Sequence, residues 1–352
     1  MQARRAVENP IVVPSSVVAS RDDLEVIGVF NPAVVMRGDE TCLMLRVAEA
    51  PRGVDAGEVA AVLYDAARGA LEVRRWRRDT PGLDASDPRV VSVDGQTFLT
   101  SMSHLRMARS RDGVHFEVDP RPALSPAHEL ESFGIEDGRL VWLEGRYVLN
   151  YSAVSQHGIA TGIAVSDDLV RWQRMGIGFA PNNRDVTIFP ERIGDRFAAL
   201  HRPMPDAIGS AAIWYATSPD LLHWGDHRFV AGRRRGAWDD LKIGGGAVPF
   251  RVDAAGKRGW LAIYHGVRGA PLTYALGALL LDPRDPSQVL ARSREPILSP
   301  QTPYETNGFF GNVVFTCGAA VVGDDVRVYY GAADGVTAVA DLAIEGILAG
   351  LA

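Results

Sequence analysis

Two markers recur along this chain on a shared interval of about fifty residues. The first is a Gly/Asp turn between short strands, at Gly38, Gly95, Gly145 and Gly194, in steps of 57, 50 and 49 residues. Similar turns stand near Gly256 to Gly259 and at Gly323-Asp324, and each is followed by a related strand: CLMLRVA, TFLTSMS, RYVLNYS, RFAALHR, GWLAIYH and VRVYYGA. The second marker is Ser-x-Asp-x-x-x-aromatic, read as SRDGVHF from Ser110, SDDLVRW from Ser166 and SPDLLHW from Ser218, in steps of 56 and 52. Several short strands per repeat at such a period are the signature of a β-propeller, whose small sheets cannot bury both faces alone and so stack around an axis. The spacing therefore predicts an all-β, single-domain propeller. Within it, Asp112, Asp168 and Asp220 tie outer turns by accepting backbone N–H groups, and Phe116, Trp172 and Trp224 pack between blades. A residue type repeated in every blade is scaffold. Only Val339 to Leu351 reads as a helix, closing the chain.

The rest of the composition narrows the function. Of 352 residues, 47% are hydrophobic and 23% charged, the balance of a globular protein. A net charge of −6 gives no electrostatic reason to expect nucleic acid or an anionic membrane as partner. The two cysteines, Cys42 and Cys317, make no disulfide framework and read as buried thiols of a reducing compartment. The start, MQARRAVENPIVVPSS, lacks the unbroken apolar run of a signal peptide, and no run of about 18 apolar residues could span a membrane. A cytoplasmic protein is expected. The eight histidines are scattered without metal-ligand spacing, so no metal is expected. Gly244-Gly245-Gly246 precedes a strand and is no phosphate loop.

In a propeller the innermost strands begin around the axis, so the residues just before them line one funnel. Those entrances read Phe30-Asn31-Pro32, Ser86-Asp87-Pro88-Arg89, Glu136-Asp137-Gly138-Arg139, Asn183-Arg184-Asp185, Asp240-Leu241-Lys242 and Gly311-Asn312. Unlike the Ser-x-Asp turns they are polar and differ from blade to blade, as a binding site does. Return strands add Arg46, Asn150, His201-Arg202, His265 and Asp334. The carboxylates point to glycosidic bond cleavage, in which one acid protonates the leaving oxygen. Arg184, His201, Arg202, Lys242 and His265, brought together, would hold a phosphate. Against this, Asp185 and Arg202 could simply pair inside the wall, and Asp137 could cap a strand or hold Arg139.

These residues resemble glycoside hydrolase family 130, the inverting β-mannoside phosphorylases and related β-mannosidases. The resemblance runs from Asn31 to about Asp334 through an ordered set of motifs. They include FNPAVV, LRVAE, GIEDGRL, NYSA, NRDVTIFPERIGDRFAALHRP, WDDLKIGGGAVP, PYETNGFFGNVVFTCG and YYGAAD. It implies a five-bladed propeller, where the hairpins count to six, with residues 1–27 as an N-terminal extension and 335–352 as a closing segment. It implies that Asp137 is a general acid, that Asn31, Arg46, Asp87, Arg89, Asp185 and Asp334 contact the sugar, and that Arg184, His201, Arg202, Lys242 and His265 bind phosphate. No cofactor is implied, inorganic phosphate being the co-substrate beside a mannose-containing oligosaccharide, and a homo-oligomer is compatible with the family. Gly138 stands where the family usually has proline. Asp87-Pro88-Arg89 carries that proline form, which makes Asp87 the reserve acid. Ser155-Gln156-His157-Gly158 replaces the Arg-Asn of members acting on mannosylglucose and resembles members acting on β-1,2-linked mannosides.

The expected reaction is thus phosphorolysis of a β-mannoside, probing two alternatives. A hydrolase on the same scaffold needs a carboxylate base, for which Glu136, Asp185 and Asp239 are candidates, about 6.5–9.5 Å from the acid. A non-catalytic sugar-binding propeller would lack a placed acid. Acceptor specificity is expected in the loops 120–133 and 233–240.

Overall fold

The computed structural model describes residues 3–352. Five antiparallel blades are built from four sheets, blades I and II being joined into one eight-stranded sheet by a single parallel pairing of Gly134 with Ser103. Blade I holds strands Leu24–Arg37, Glu40–Pro51, Met102–Ser110 and Glu117–Val118; blade II holds Gly134–Leu143, Arg146–Ser155, Gly158–Ser166 and Gln173–Phe179. Blade III holds Asn183–Ile188, Phe197–Pro203, Ile213–Ser218 and Gly225–Ala231. In blade IV, Lys242–Gly245 and Phe250–Ala254 both pair with Lys257–Gly269, followed by Leu272–Leu281 and Val289–Arg292. Blade V joins Val314–Val322, Asp325–Ala332 and Val336–Ala343 to Arg4–Arg5, so the two ends of the chain complete one sheet.

The strands carry almost unbroken apolar runs because both faces of each blade are buried, as in any sheet covered on two sides. Alternation along a strand then chooses between neighbours. In blade II, Val148 packs toward Val186 and Ile188 of blade III, whereas Leu149 packs toward Met44 and Leu105 of blade I. In blade V, Tyr330 joins Leu261 and Ile263 of blade IV, whereas Tyr329 joins Leu43 and Leu45 of blade I. The core is therefore five inter-blade layers.

The Ser-x-Asp turns behave as scaffold. Asp112 accepts from the backbone N–H groups of Val114 and His115, Asp168 from those of Val170 and Arg171, and Asp220 from those of Leu222 and His223, all at 2.8–3.0 Å. Each following aromatic meets the preceding blade: Phe116 lies 5.8 Å from Tyr329, Trp172 joins the layer between blades I and II, and Trp224 stacks 5.1 Å from Phe179.

Two expectations change. Six hairpins become five blades because Val90–Val93 and Gln96–Leu99, around Asp94-Gly95, form a separate two-stranded ribbon, as do Glu58–Asp65 and Ala70–Arg77. Both ribbons lie within an excursion of blade I between its second and third strands; a tight hairpin turn looks alike inside or outside a blade. The expected helix from Val339 to Leu351 is instead the strand Val336–Ala343 followed by the short helix Ile344–Ala349. Its residues Ala338, Ala340 and Leu342 fill the layer shared with blade IV, and packing overrides their helical preference. Cys42 and Cys317 are free and buried. No helix among the described residues is long and apolar enough to cross a membrane.

Candidate active site

At the same level of three blades the innermost strand breaks step. Asn31, Asp137 and Asp185 have φ of 50°, 46° and 55°, and the pairing register shifts at Phe30/Ala33, Glu136/Arg139 and Arg184/Thr187. Such bulges re-aim a side chain, and Asn and Asp tolerate the left-handed backbone better than bulkier residues. Asn31 and Asp137 meet directly, and all five blades contribute to a cavity of about 880 Å³ on that end of the axis. Blade IV contributes Lys242, His265 and Tyr274, and at the neighbouring Gly244 a Cβ would come within 2.3 Å of Asp185 Oδ2 and 2.4 Å of His265 Cε1.

On the side of blades I, II and V, Asp137 is 7% exposed and its Oδ1 accepts from Asn31 Nδ2 at 2.9 Å and Arg46 Nη1 at 3.1 Å. Oδ2 accepts no hydrogen bond from the described residues. Burial works to raise the Asp137 carboxyl, but Arg46, Arg139 and the Asn31 hydrogen bond outweigh it and hold it below the ordinary carboxylate range. Arg46 also donates to Glu136 Oε1 at 2.9 Å and Ser103 Oγ at 2.9 Å, and lies over the Phe30 ring. Asp334, at φ 50° in the turn after Ala332, lines the same wall. Burial is the main cause of its rise to about 6; Arg46 opposes it and the Asp137 and Glu136 charges add to it. Gly138 fits here because Leu149 Cδ1 fills the space a Cβ would take, 2.9 Å away.

On the side of blades III and IV stand Arg184, Arg202, Lys242 and His265 around Asp185. Arg202 Nε donates to Asp185 Oδ2 at 2.5 Å and Arg139 Nη2 to Oδ1 at 3.4 Å. The expected wall pairing thus exists, yet Arg202 still lines the cavity. Burial would raise Asp185, but Arg202 and its other cationic neighbours hold it far below its usual value. His265 moves the other way. Burial, with Arg202 and Lys242 nearby, pushes it down to about 3 against the pull of Asp185, so it is a neutral imidazole and not one of the cations. Arg184 Nε and His265 Nδ1 are buried without a hydrogen-bond partner among the described residues. The orphaned Arg184 N–H beside Lys242 and Arg202 suits an anion carrying several acceptor oxygens.

The profile of glycoside hydrolase family 130, described as beta-1,4-mannooligosaccharide phosphorylase, matches residues 100–351. A beta-1,2-mannobiose phosphorylase of Listeria innocua is 44% identical over 352 residues, 99% of this chain and 98% of the relative. The chain belongs to glycoside hydrolase family 130. Another member, a 1,2-beta-oligomannan phosphorylase of Thermoanaerobacter, is 39% identical over 70% of this chain and 80% of its own length. The solved Listeria innocua beta-1,2-mannobiose phosphorylase, in complex with beta-1,2-mannobiose, superposes with a TM-score of 0.94 at 43% identity, covering 99% of both chains. The five-bladed propeller is thus the fold of this family 130 protein.

Two expected site residues are not in the cavity wall. His201 is buried against Phe179, 4.7 Å between ring centroids, with Asn183 and His227 at 3.0 Å from its ring nitrogens. It neighbours Arg202 on one strand, and adjacent residues face opposite blades, so only Arg202 reaches the cavity. Asp87 belongs to the excursion, where it accepts from the Arg89 backbone and guanidinium at 2.7–3.0 Å. It orients Arg89, which does line the cavity and lies 5.5 Å from the Phe310 ring. Asn31, Arg46, Asp137, Arg184, Asp185, Arg202, Lys242, His265 and Asp334 are all brought together. Sequence reasoning missed the outer wall: Gln96 to Leu99 of the excursion ribbon, Phe133, Tyr274, Phe310 and the half-exposed Phe309. Of the loops expected to govern the acceptor, 120–133 contributes only Phe133 to that wall and 233–240 contributes nothing. Among the described residues no group of His, Cys, Asp and Glu is placed to hold a metal.

Proposed function

We propose that this protein is an inverting phosphorylase of β-1,2-linked mannosides that releases α-mannose 1-phosphate. The observation that carries the reading is the division of the cavity. One side presents the Asp137 carboxyl, with Oδ2 unbonded, beside Glu136 and Asp334, and the other presents cations with an orphaned Arg184 N–H and a carboxylate, Asp185, tied to Arg202. Hydrogen phosphate supplies the nucleophile. Its oxygen bonds to the anomeric carbon from the face opposite the leaving group, the glycosidic C–O bond breaks, and the departing oxygen takes a proton. The proton that phosphate loses equals the one the leaving sugar gains. Asp137 is the group to donate it, with Asn31, Arg46 and Asp334 holding the mannose and Arg184, Arg202, Lys242 and His265 the phosphate. The names and near-complete overlap of the Listeria relative support the β-1,2 linkage.

A hydrolase would need a base free to deprotonate water. Glu136 is held by Arg46, Asp185 by Arg202, and Asp239 by Arg234, Arg292 and Tyr264 away from the cavity wall. Carboxylates bound to guanidinium groups are weak bases. A cytoplasmic location goes with phosphorolysis, because a sugar phosphate made inside a cell keeps the energy of the broken bond.

The test is phosphate release from α-mannose 1-phosphate with mannose, glucose, N-acetylglucosamine or mannobiose as acceptor. Release with mannose or mannobiose is expected, falling about 10²–10⁴-fold in Asp137→Asn. Mannose freed from β-1,2-mannobiose without phosphate would make the protein a hydrolase.

A further inference from the structure

Glu136 joins the two sides of the cavity. Its Oε1 accepts from Arg46 Nη2 at 2.9 Å, while Arg46 Nη1 donates to Asp137 Oδ1 at 3.1 Å, so Glu136 and Asp137 share one guanidinium. Its Oε2 lies 3.9 Å from Arg184 Nη1, an ion pair too long to be a hydrogen bond. Arg184 is therefore held loosely from the acid side, and its Nε has no partner among the described residues. The Glu136 side chain is 9% exposed. Little solvent reaches it, so a change at one oxygen is felt at the other.

We infer that Glu136 is a positioning residue that couples phosphate binding to protonation of Asp137. Phosphate draws Arg184 off Oε2, Glu136 places its charge on Arg46, and the hold of Arg46 on Asp137 slackens. The inference rests on the phosphorylase reading above. It answers a need of that reading, because a carboxyl kept ionised by its neighbours must gain a proton before the glycosidic bond breaks. The charged and polar groups facing Asp137 are Asn31 and Arg46 from blade I, Glu136 and Arg139 from blade II, Asp185 from blade III, and Asp334 and Cys317 from blade V. Arg139 is fixed by the carbonyls of Asp137, Gly245 and Gly246 at 2.9–3.1 Å and by Asp185. Arg139 also reaches the phosphate side through Asp185, but three backbone carbonyls fix it, whereas the hydrogen bonds of Arg46 go to the side chains of Ser103, Glu136 and Asp137, so the hold of Arg46 is the adjustable one.

Two measurements decide it. Calorimetric titration of the wild-type protein with phosphate at pH 8, in buffers of different ionisation heat, reads proton uptake without any turnover. Fractional proton uptake per phosphate is expected, reduced at least twofold in Glu136→Gln. Wild-type uptake that is absent, or unchanged in the variant, overturns the coupling. The pH profile of β-1,2-mannobiose phosphorolysis is the second measurement. In Glu136→Gln, Arg46 falls wholly to Asp137 and Arg184 is released. The basic limb of kcat should move down by about one pH unit and kcat at pH 7.5 fall about tenfold, while the phosphate KM stays level or drops. Glu136→Asp should restore the limb. An unmoved limb, or a raised phosphate KM with kcat intact, would make Glu136 a mere wall of the phosphate site. Should Glu136→Gln not fold, Glu136→Asp and the wild-type titration still decide. A wild-type protein that takes up the proton but never phosphorolyses mannobiose would sink the activity and leave the coupling standing.

Discussion

Asp168, in the outer turn of blade II, and Asp137, at the bulge of that blade's innermost strand, are carboxylates of one sheet placed at opposite edges. Asp168 is exposed and spends one oxygen on two backbone N–H groups, Val170 and Arg171, as Asp112 and Asp220 do in their own blades. Asp137 is buried, takes one side-chain amide and one guanidinium, and keeps an oxygen toward the cavity. The same residue with the same partners is repeated where the partner is backbone, whereas at the axis Asn31, Asp137 and Asp185 occupy equivalent bulges with different side-chain partners. That turn geometry recurs in blades I, II and III, so its ligand recurs with it. Side-chain chemistry at the axis is built once, from five different contributions.

The comparison would be sharpened most by Asp185→Asn. This bulge aspartate serves both purposes, since it leaves Arg202 and Arg139 buried without a counter-charge when neutralised. A loss of about 3–5 kcal/mol is expected in denaturant unfolding, together with loss of phosphorolysis. A variant that is inactive but fully stable would separate site from scaffold at that position. Asp334→Asn should act in the opposite sense on stability. The folded carboxyl, near 6, lies above its ordinary value of 3.8, so its contribution to stability is present below about pH 4 and is lost as pH rises through 6. The Asn variant should therefore gain Tm over wild type at pH 8, with the gap closing toward pH 4, while its mannoside KM rises about tenfold for the lost charged hydrogen bond. A gap that does not vary with pH would break the assignment of Asp334 as a carboxylate ionised at a cost. Smallest is Asp168→Ala, for which a slight fall in Tm and an unchanged kcat/KM are expected. A fall in kcat/KM without a fall in Tm would undo the division between rim and axis.

What could be read from the sequence follows the same division. The turns and the Ser-x-Asp motif are local chemistry, and they revealed the propeller. Asn31, Asp137 and Asp185 were legible because polar residues that vary at equivalent points of a repeat stand out. His201 was not separable from Arg202, because which of two adjacent residues faces the axis depends on strand phase relative to the neighbouring blades. Asp87 was misplaced because the Asp94-Gly95 ribbon imitates a blade hairpin. The aromatic wall was invisible: Phe98, Phe133 and Phe310 come together only through the path of the excursion, which no period encodes.

Blade V has a consequence for how the protein is made. Arg4–Arg5 pairs with Val336–Ala343, more than three hundred residues later in the chain, and the turn bearing Asp334 precedes that strand. The wall bearing Asp334 therefore cannot be finished until both of these segments have been made. Four blades can assemble in sequence, but the fifth waits for contacts between residues more than three hundred positions apart, the kind of pairing that makes folding slow. A nascent chain is thus an open ring with exposed blade faces, and activity arrives in one final step with ring closure.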